Sequence, residues 1–296
     1  GLLKMDFLGL TNLTILDKTL KVIEKTRGLK LSLKEISMTD DKTFDLLSSG
    51  NTTEVFQLES TGMQKHIKAL RPSSLSDVAA MIALYRPGPM EQIPNFIAAK
   101  HGEIPVISPH SSLDDILNDS YGIIVFQDQV LLILQTFAGY SLGEADIVRK
   151  AMGKKIPSLM AKERDKFIAG ATNKGFDSNL AEEIFNLIEP FAGYAFNKAH
   201  SVSYAQISYW TAYFKANYPL EYMASVLNSR SGHPDKISNA INECLRMEIK
   251  VLPPNINYSQ IEFTIETTNN GIQNIRFGLS AIKNLGATAL TPIIQA

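Results

Sequence analysis

Apolar residues recur at a spacing of about three to four through most of the chain, and the alternation expected of strands is confined to short stretches. The run 2–8 is apolar and bounded by Gly9, which predicts a strand whose alternation sets Lys4 and Asp6 on one face. Thr11 then predicts the cap of a helix with Leu13, Leu16, Leu20 and Ile23 as its stripe, ending at Arg27 and Gly28. A short helix over 40–49 closed by Gly50, a short strand over 55–58, and helices capped by Ser60 and Ser74 follow. In 83–90 two prolines flank Gly88, so the chain must leave its helix there and hold Arg86 in a rigid loop. Next come a buried strand over 122–126 and helices over 127–138, 158–174 and 178–190.

One further helix reaches Asn217 and is apolar on two faces, through Val202, Ala205, Tyr209, Ala212, Tyr213 and Ala216 and through Tyr204, Ile207, Thr211 and Phe214. Only Ser201, Ser208 and Lys215 are left as a narrow polar stripe, so this helix is expected to sit centrally. Helices over 220–228 and 235–247 complete the middle of the chain. After Pro253 and Pro254 the texture changes: 261–265 and 275–278 flank the turn residues 269–271 and read as a β-hairpin, followed by a Gly-centred turn within 281–290. The expected fold is mainly α, with a strand-helix unit in front and a small α+β subdomain from about 250.

The stretch 141–155 combines defined ends with clustered charge. Ser141 and Glu144 form a capping-box pair and Gly153 a stop, while Asp146, Arg149, Lys150 and Lys154 are expected on the face opposite Ile147, Val148, Ala151 and Met152. A plain reading is a solvated helix in which Asp146 pairs with Lys150 at i,i+4.

Composition narrows the function classes. With 296 residues, 45% hydrophobic and 20% charged, the chain can bury real cores, and its net charge of −1 draws it to neither nucleic acid nor anionic membrane as a whole. Polyanion binding must therefore come from segregated cations. The single cysteine, Cys244, permits no internal disulfide and fits a reducing cytoplasm, and no apolar run reaches the length of a membrane span. The chain opens at Gly1 inside a patterned segment, which suggests a piece of a larger protein.

His66, His101, His110, His200 and His233 are scattered and Cys244 has no C-x-x-C partner, so a zinc site is not expected. The G-x-S-x-G elbow and the phosphate-binding glycine loops are absent as well. What remains is a set of cations in structured places, Lys4, Arg86, Arg149, Lys150, Lys154, Lys155 and Lys198, with His200 and several tyrosines. Cations beside aromatic rings on a helical scaffold suit polyphosphate or nucleic-acid binding. Each has a plain alternative: Arg86 bonding carbonyls of its own loop, Lys198 capping the preceding helix, His200 satisfied in a core.

Six ordered motifs decide between these readings. They are K-M-D-F-L-G-L at 4–10, F-Q-L-E-S at 56–60 with Gly62 and Met63, A-L-Y-R-P-G-P-M at 83–90, Q-D-Q-V at 127–130 followed by A-G-Y-S-L-G at 138–143, R-K-A-M-G-K-K at 149–155, and F-N-K-A-H at 196–200. Together they closely resemble the bacterial C-family replicative DNA polymerases, the DNA polymerase III α subunits of the DnaE type, over nearly the whole chain. The resemblance implies that 1–28 ends the palm, 29–249 forms a helical fingers domain, and 250–296 is a β-hairpin subdomain leading into a helix-hairpin-helix region.

It further implies that Asp6 is the third of three palm aspartates holding two Mg²⁺ ions, and that Lys4 lies beside the incoming triphosphate. Two such ions sharpen the primer hydroxyl and steady the pyrophosphate leaving group. Arg149, Lys150, Lys154 and Lys155 would neutralise the triphosphate, while Arg86, Asn197, Lys198 and His200 would line the nucleotide and template side. The implied partners are primer-template DNA and dNTP, with sliding clamp and clamp-loader or replisome subunits contacted through regions outside this chain, and no membrane. The other two palm aspartates, a D-x-D pair, would lie upstream of Gly1, so the two-metal site is incomplete here and the isolated chain is expected to be inactive. Many members carry a basic residue where Thr61 stands, so the resemblance assigns no contact at that position. Two further readings are a non-catalytic helical DNA-binding or scaffold module and a stand-alone nucleotidyltransferase, the latter needing a second carboxylate near Asp6.

Overall fold

A computed structural model describes residues 2–5, 8–106, 108, 110–153, 157–192, 195–268, 270–286, 289, 290, 292 and 294, with the backbone alone for 151–153, 157–159 and 192. In chain order the helices are α1 (Thr11–Arg27), α2 (Asp41–Ser49), α3 (Thr61–Leu70), α4 (Leu75–Leu84), α5 (Ile93–Lys100), α6 (Asp114–Leu117), α7 (Gln127–Ala138), α8 (Leu142–Gly153), α9 (Pro157–Asn173), α10 (Ser178–Ala192), α11 (Lys198–Asn217), α12 (Pro219–Ser229) and α13 (Pro234–Arg246). The strands are β1 (Val251–Leu252), β2 (Thr264–Thr267) and β3 (Gln273–Arg276). The fold is mainly α, as the periodicity predicts. The chain divides into two compact units, 1–64 with 207–296, and 65–206, and it passes between them within α3 and α11.

In the first unit α1 packs along α12 and buries Ile15, Leu16, Thr19 and Ile23. Leu16 and Ile23 of the expected stripe are thus buried, but Ile15 and Thr19 complete it, Leu20 is half-buried and Leu13 is exposed. Thr11 is the first helical residue rather than the cap: Leu10 occupies the cap position and offers no side-chain acceptor. Residues 2–5 and 8–10 form no strand, and Leu2, Leu3, Met5 and Leu8 are exposed. A strand is defined by ladder hydrogen bonds, and residues 2–5 and 8–10 take no place in the described sheet. Residues 55–58 are a turn, since the positive φ of Glu54 (60°) and Gln57 (63°) breaks the extended backbone that apolar Val55 and Leu58 suggest.

The last part of this unit holds the hairpin, β2 against β3 with Ile265 opposite Ile275, as expected. A third strand, β1, pairs parallel to β3 on its other side, giving the order β1-β3-β2. The polar stripe of α11 is buried, as are Ala205, Ile207, Tyr209, Thr211, Ala212 and Phe214 of its apolar faces, while Val202, Tyr204, Tyr213 and Ala216 are half-buried. Within this unit Lys215 donates to Asn51 O (2.7 Å), Thr53 O (2.6 Å) and Glu243 Oε1 (2.6 Å), which satisfies all three ammonium protons in the interior.

In the second unit α7, α8, α9 and α10 enclose Phe137, Phe167, Phe185, Ile133 and Ile188. Gly170 lets α9 approach the end of α7 closely, because a Cβ there would stand 2.3 Å from Ala138 O. Gly122 is in a turn at φ 81°, and residues 123–126 pair only through a parallel bridge between Phe126 and Phe196, so the expected strand over 122–126 reduces to one residue of ladder.

Candidate functional site

Three chain segments of the second unit meet at the Phe126–Phe196 bridge, and elementary hydrogen-bond accounting explains why. Phe196 N–H donates to Val125 O (3.0 Å) and Gln127 N–H to Phe196 O (2.8 Å). The extended run before α7 is fixed from beneath by the buried Gln129, whose Oε1 accepts from the Val125 and Phe126 N–H groups at 2.8 and 2.9 Å. Its amide nitrogen donates to Ser120 Oγ (2.6 Å) and Ile116 O (3.1 Å), so this buried amide satisfies otherwise orphaned backbone.

A second hub supports α4, from whose end Arg86 departs. Asp77, 1% exposed, closes the capping box with Ser74. It also accepts from Ser73 N (2.8 Å), Lys100 Nζ (2.7 Å) and Tyr121 Oη (2.8 Å). Burial pushes the Asp77 carboxyl up, but these donors outweigh it and hold the group below its ordinary value. Ser201 Oγ donates to Ala79 O at 2.5 Å, which ties the start of α11 to α4.

On this frame four of the expected site residues converge. The Arg86 guanidinium lies over the Phe196 ring, 4.5 Å from its centroid, and Nε donates to Ala83 O (2.8 Å); burial lowers its pKa. Asn197 caps α11 by accepting the His200 N–H (2.9 Å). The exposed His200 ring stands between Phe196 (5.5 Å) and Tyr204 (4.2 Å), so the core-histidine alternative does not hold. Lys198 Nζ lies 5.6 Å from the Phe126 ring and 3.4 Å from Asp119 Oδ2. Arg86, Phe196, His200 and Tyr204 thus form a row of neighbouring planar groups, the rings tilted by 56° and 36° to one another, with a second cation beside it. Such a surface can receive a base and an anion together.

The basic helix is a separate element. Ser141 and Glu144 form the expected capping box, with Ser141 N–H and Oγ donating to Glu144 Oε2 at 2.9 and 2.7 Å. Those two donors, with Lys166 after them, hold the Glu144 carboxyl down to about 2. Ala145 and Val148 are buried, whereas Ile147 is 66% exposed and does not join the apolar face. Its position lies two residues from the Ala145 row and so off the 3.6-residue stripe. Asp146 bonds both cations: Oδ1 accepts from Arg149 Nε (3.2 Å) and Nη2 (3.0 Å), and Oδ2 pairs with Lys150 (2.6 Å). Lys150, and then Arg149, keep the Asp146 carboxyl below its usual value.

Lys4 is exposed in the first unit; Asp6, Lys154 and Lys155 lie outside the described residues. Among the described residues no three His, Cys, Asp or Glu side chains group as a metal site, and no helix is long and apolar enough to cross a membrane. Sequence reasoning missed Asp119, Asp77 and the second bond from Asp146 to Arg149. Asp77 carried a local signal, the S-x-x-D spacing from Ser74, and Asp146 with Arg149 the i,i+3 spacing on one helix; Asp119 carried none.

The sequence profile of the bacterial DNA polymerase III alpha subunit finger domain matches residues 12–175, and that of a helix-hairpin-helix motif matches 248–296. Over the whole chain, DNA polymerase III subunit alpha of Bacillus subtilis (strain 168) is 48% identical, with the chain covering 26% of that protein. The protein of the same name from Thermus aquaticus is 44% identical with 24% of its length covered, and that from Escherichia coli (strain K12) 44% with 26%. The chain therefore spans about a quarter of the length of these relatives. Its matched finger region includes the Asp77 hub, the loop of Arg86 and the basic helix α8, and the chain belongs to the family of bacterial DNA polymerase III alpha subunits.

Proposed function

We propose that this chain is the nucleotide-receiving part of a DNA-directed DNA polymerase that copies a primed template. In this reading 1–28 ends the palm, 29–249 is the fingers domain, and 250–296 leads into the helix-hairpin-helix region. The observation that carries it is the convergence of Arg86, Asn197, Lys198 and His200 on the Phe126–Phe196 bridge, which supports a surface for the nucleotide and template base. Arg149 and Lys150, followed by Lys154 and Lys155, neutralise the triphosphate as charge shifts onto the leaving pyrophosphate. Lys4 serves beside them.

Asp6 is the chain's own candidate for one carboxylate of a Mg²⁺ site that needs further carboxylates from the longer polypeptide. When bound, such ions activate the attacking hydroxyl and stabilise the leaving group. The clamp, the loader subunits and a cytoplasmic location belong to the same reading of the longer protein.

Charge reversal at Arg149 and Lys150 in the full-length polymerase tests it. The nucleotide KM should rise, or turnover fall, on primed DNA at fixed salt; unchanged steady-state constants would leave α8 a solvated helix. The isolated chain should extend no primer with Mg²⁺ present, because one carboxylate cannot hold two ions.

The second reading, a helical DNA-binding or scaffold module, is favoured by Asp146, which already pairs with both α8 cations. It requires binding of primer-template to be equally tight with and without matched dNTP. The polymerase reading requires the nucleotide to tighten it.

A further inference from the structure

The three-stranded sheet of the first unit has β2 at one edge, and hydrogen-bond parity says which of its backbone groups are unused. Ile275 donates to Lys250 O (3.0 Å) and Phe277 to Leu252 O (3.1 Å), so these odd-numbered positions of β3 face β1. Their partner in the antiparallel register, Ile265 opposite Ile275, must then point the other way, off the sheet. Thr268 N–H donating to Ile272 O (2.9 Å) fixes the same parity from the turn: even positions of β2 face β3, and Ile265 and Thr267 face outward.

This outward edge is already paired once. At Phe263, two residues before Ile265, the Asn228 side-chain amide donates to the carbonyl (2.9 Å) and accepts from the N–H (2.7 Å), as a neighbouring strand would. The next outward residue, Ile265, instead lines a cleft of about 250 Å³. Val22, Ala224 and Phe263 supply its apolar lining, and Lys21 and Lys25 of α1 stand on it. Glu262 on the same cleft is paired with Lys18 at 3.1 Å, and Lys21 is held by Asp17 in a pair that is mostly exposed. Lys25 has no ion pair among the described residues.

We infer that this cleft docks an extended, carboxylate-bearing peptide strand of a partner protein. Its backbone pairs with the N–H and C=O of Ile265 and Thr267, and its acidic side chains meet Lys21 and Lys25. Edge-strand addition takes its affinity from main-chain hydrogen bonds and its selectivity from alternate side chains. The spacing fits: residues i and i+4 of a helix are about 6 Å apart along its axis, and alternate residues of a strand about 6.6–6.8 Å. Two glutamates at i and i+2 of the incoming strand therefore have nearly the spacing of Lys21 and Lys25 along α1.

The probe is a fluorescein-labelled hexapeptide of alternating glutamate and valine, titrated against the 296-residue chain and read by anisotropy. A lysine-valine hexapeptide and a short DNA duplex are the controls. The glutamate peptide should saturate, and Lys21→Glu with Lys25→Glu should weaken it at least about tenfold while admitting the lysine peptide. Ile265→Pro removes an N–H that the sheet does not use and should abolish binding of the glutamate peptide. Independently of that variant's folding, the Ile265 amide of the unaltered chain should gain hydrogen-exchange protection with the peptide bound. An absence of saturable peptide binding, or no added protection at Ile265, overturns the inference. Duplex binding that the lysine reversals abolish, with no peptide bound, would give the cleft to phosphates instead.

Discussion

Replacing Asp77 by Ala tests how the frame beneath the candidate site is held. The carboxylate is 1% exposed and its Lys100 partner 9%, so both charges are inside the protein. Removal leaves the ammonium with Ser73 Oγ (2.9 Å) and a long contact to Tyr121 Oη (3.4 Å), and orphans the Ser73 N–H and the Tyr121 hydroxyl. An exposed pair would cost about 0–1 kcal/mol, but breaking a buried one costs about 3–5 kcal/mol because the remaining charge is uncompensated. Asp77→Ala with Lys100→Met removes that charge too and should recover part of the loss. Guanidinium denaturation followed by far-UV circular dichroism measures both variants. The chain's one tryptophan, Trp210, lies in the other unit and reports that unit's transition separately. The pH dependence has a definite sign. The folded-state pKa of Asp77 lies below its unfolded value, so its stabilisation is complete above the unfolded value of about 3.9 and is lost as pH falls through the folded one. Asp77→Asn should lack that acid-side component. A single variant within about 1 kcal/mol of wild type, or single and double variants of equal stability, would refute the buried-charge account.

Three other substitutions or modifications follow from equally local geometry. Gly170→Ala gains helix propensity but drives a Cβ into Ala138 O, so it should destabilise by about 1–3 kcal/mol in denaturant melts rather than stabilise. Lys215→Met strands Glu243 and two carbonyls; Arg246 still pairs with Glu243, so the loss should fall near the lower end of about 3–5 kcal/mol, read from Trp210 fluorescence. Burial pushes the Cys244 thiol up to about 12, so a thiol reagent near neutral pH should modify the native chain only at its unfolding rate and the denatured chain at once.

Elements whose signals are local were legible in the sequence. Helix α7 runs from 127 to 138 as the pattern predicts, because its stripe and Gly139, in left-handed conformation at φ 74°, lie within one stretch of chain. The same holds for the Ser141 and Glu144 box and for Gly50 after α2. The failures share a cause. Residues 2–5, 55–58 and 122–126 are short apolar runs, and apolarity alone cannot tell a strand from a buried turn or an unpaired segment. Strand β1 is two residues long and joins β3 from 24 positions away, Val251 with Ile275, so nothing near it in the chain announces it. In the site, the motifs named Arg86, Lys198 and His200, but the acid that faces Lys198 and the acid that holds the frame beneath Arg86 could not be assigned without coordinates. Asp119 is 79 positions from Lys198, and Asp77 reaches Lys100 across 23.

Those acids change what the cations can do. Arg149 and Lys150 share Asp146, and Lys198 faces Asp119, so two of the expected phosphate ligands and one cation expected on the nucleotide and template side already have a carboxylate beside them. This local pairing is how a chain with 29 basic and 30 acidic residues carries cationic motifs at a net charge of −1. On the proposed reading, a triphosphate binds there by exchange, taking donors from a carboxylate rather than from water alone. The Lys150 pair, 63% and 37% exposed, is cheap to open, whereas Arg149 is 18% exposed and stays aligned while its remaining N–H groups donate to a phosphate. Exchange also releases fewer small counterions than the number of cations would suggest. Nucleotide affinity should then fall with salt less steeply than four free lysines and arginines would require, and neutralising Asp146 should steepen that dependence.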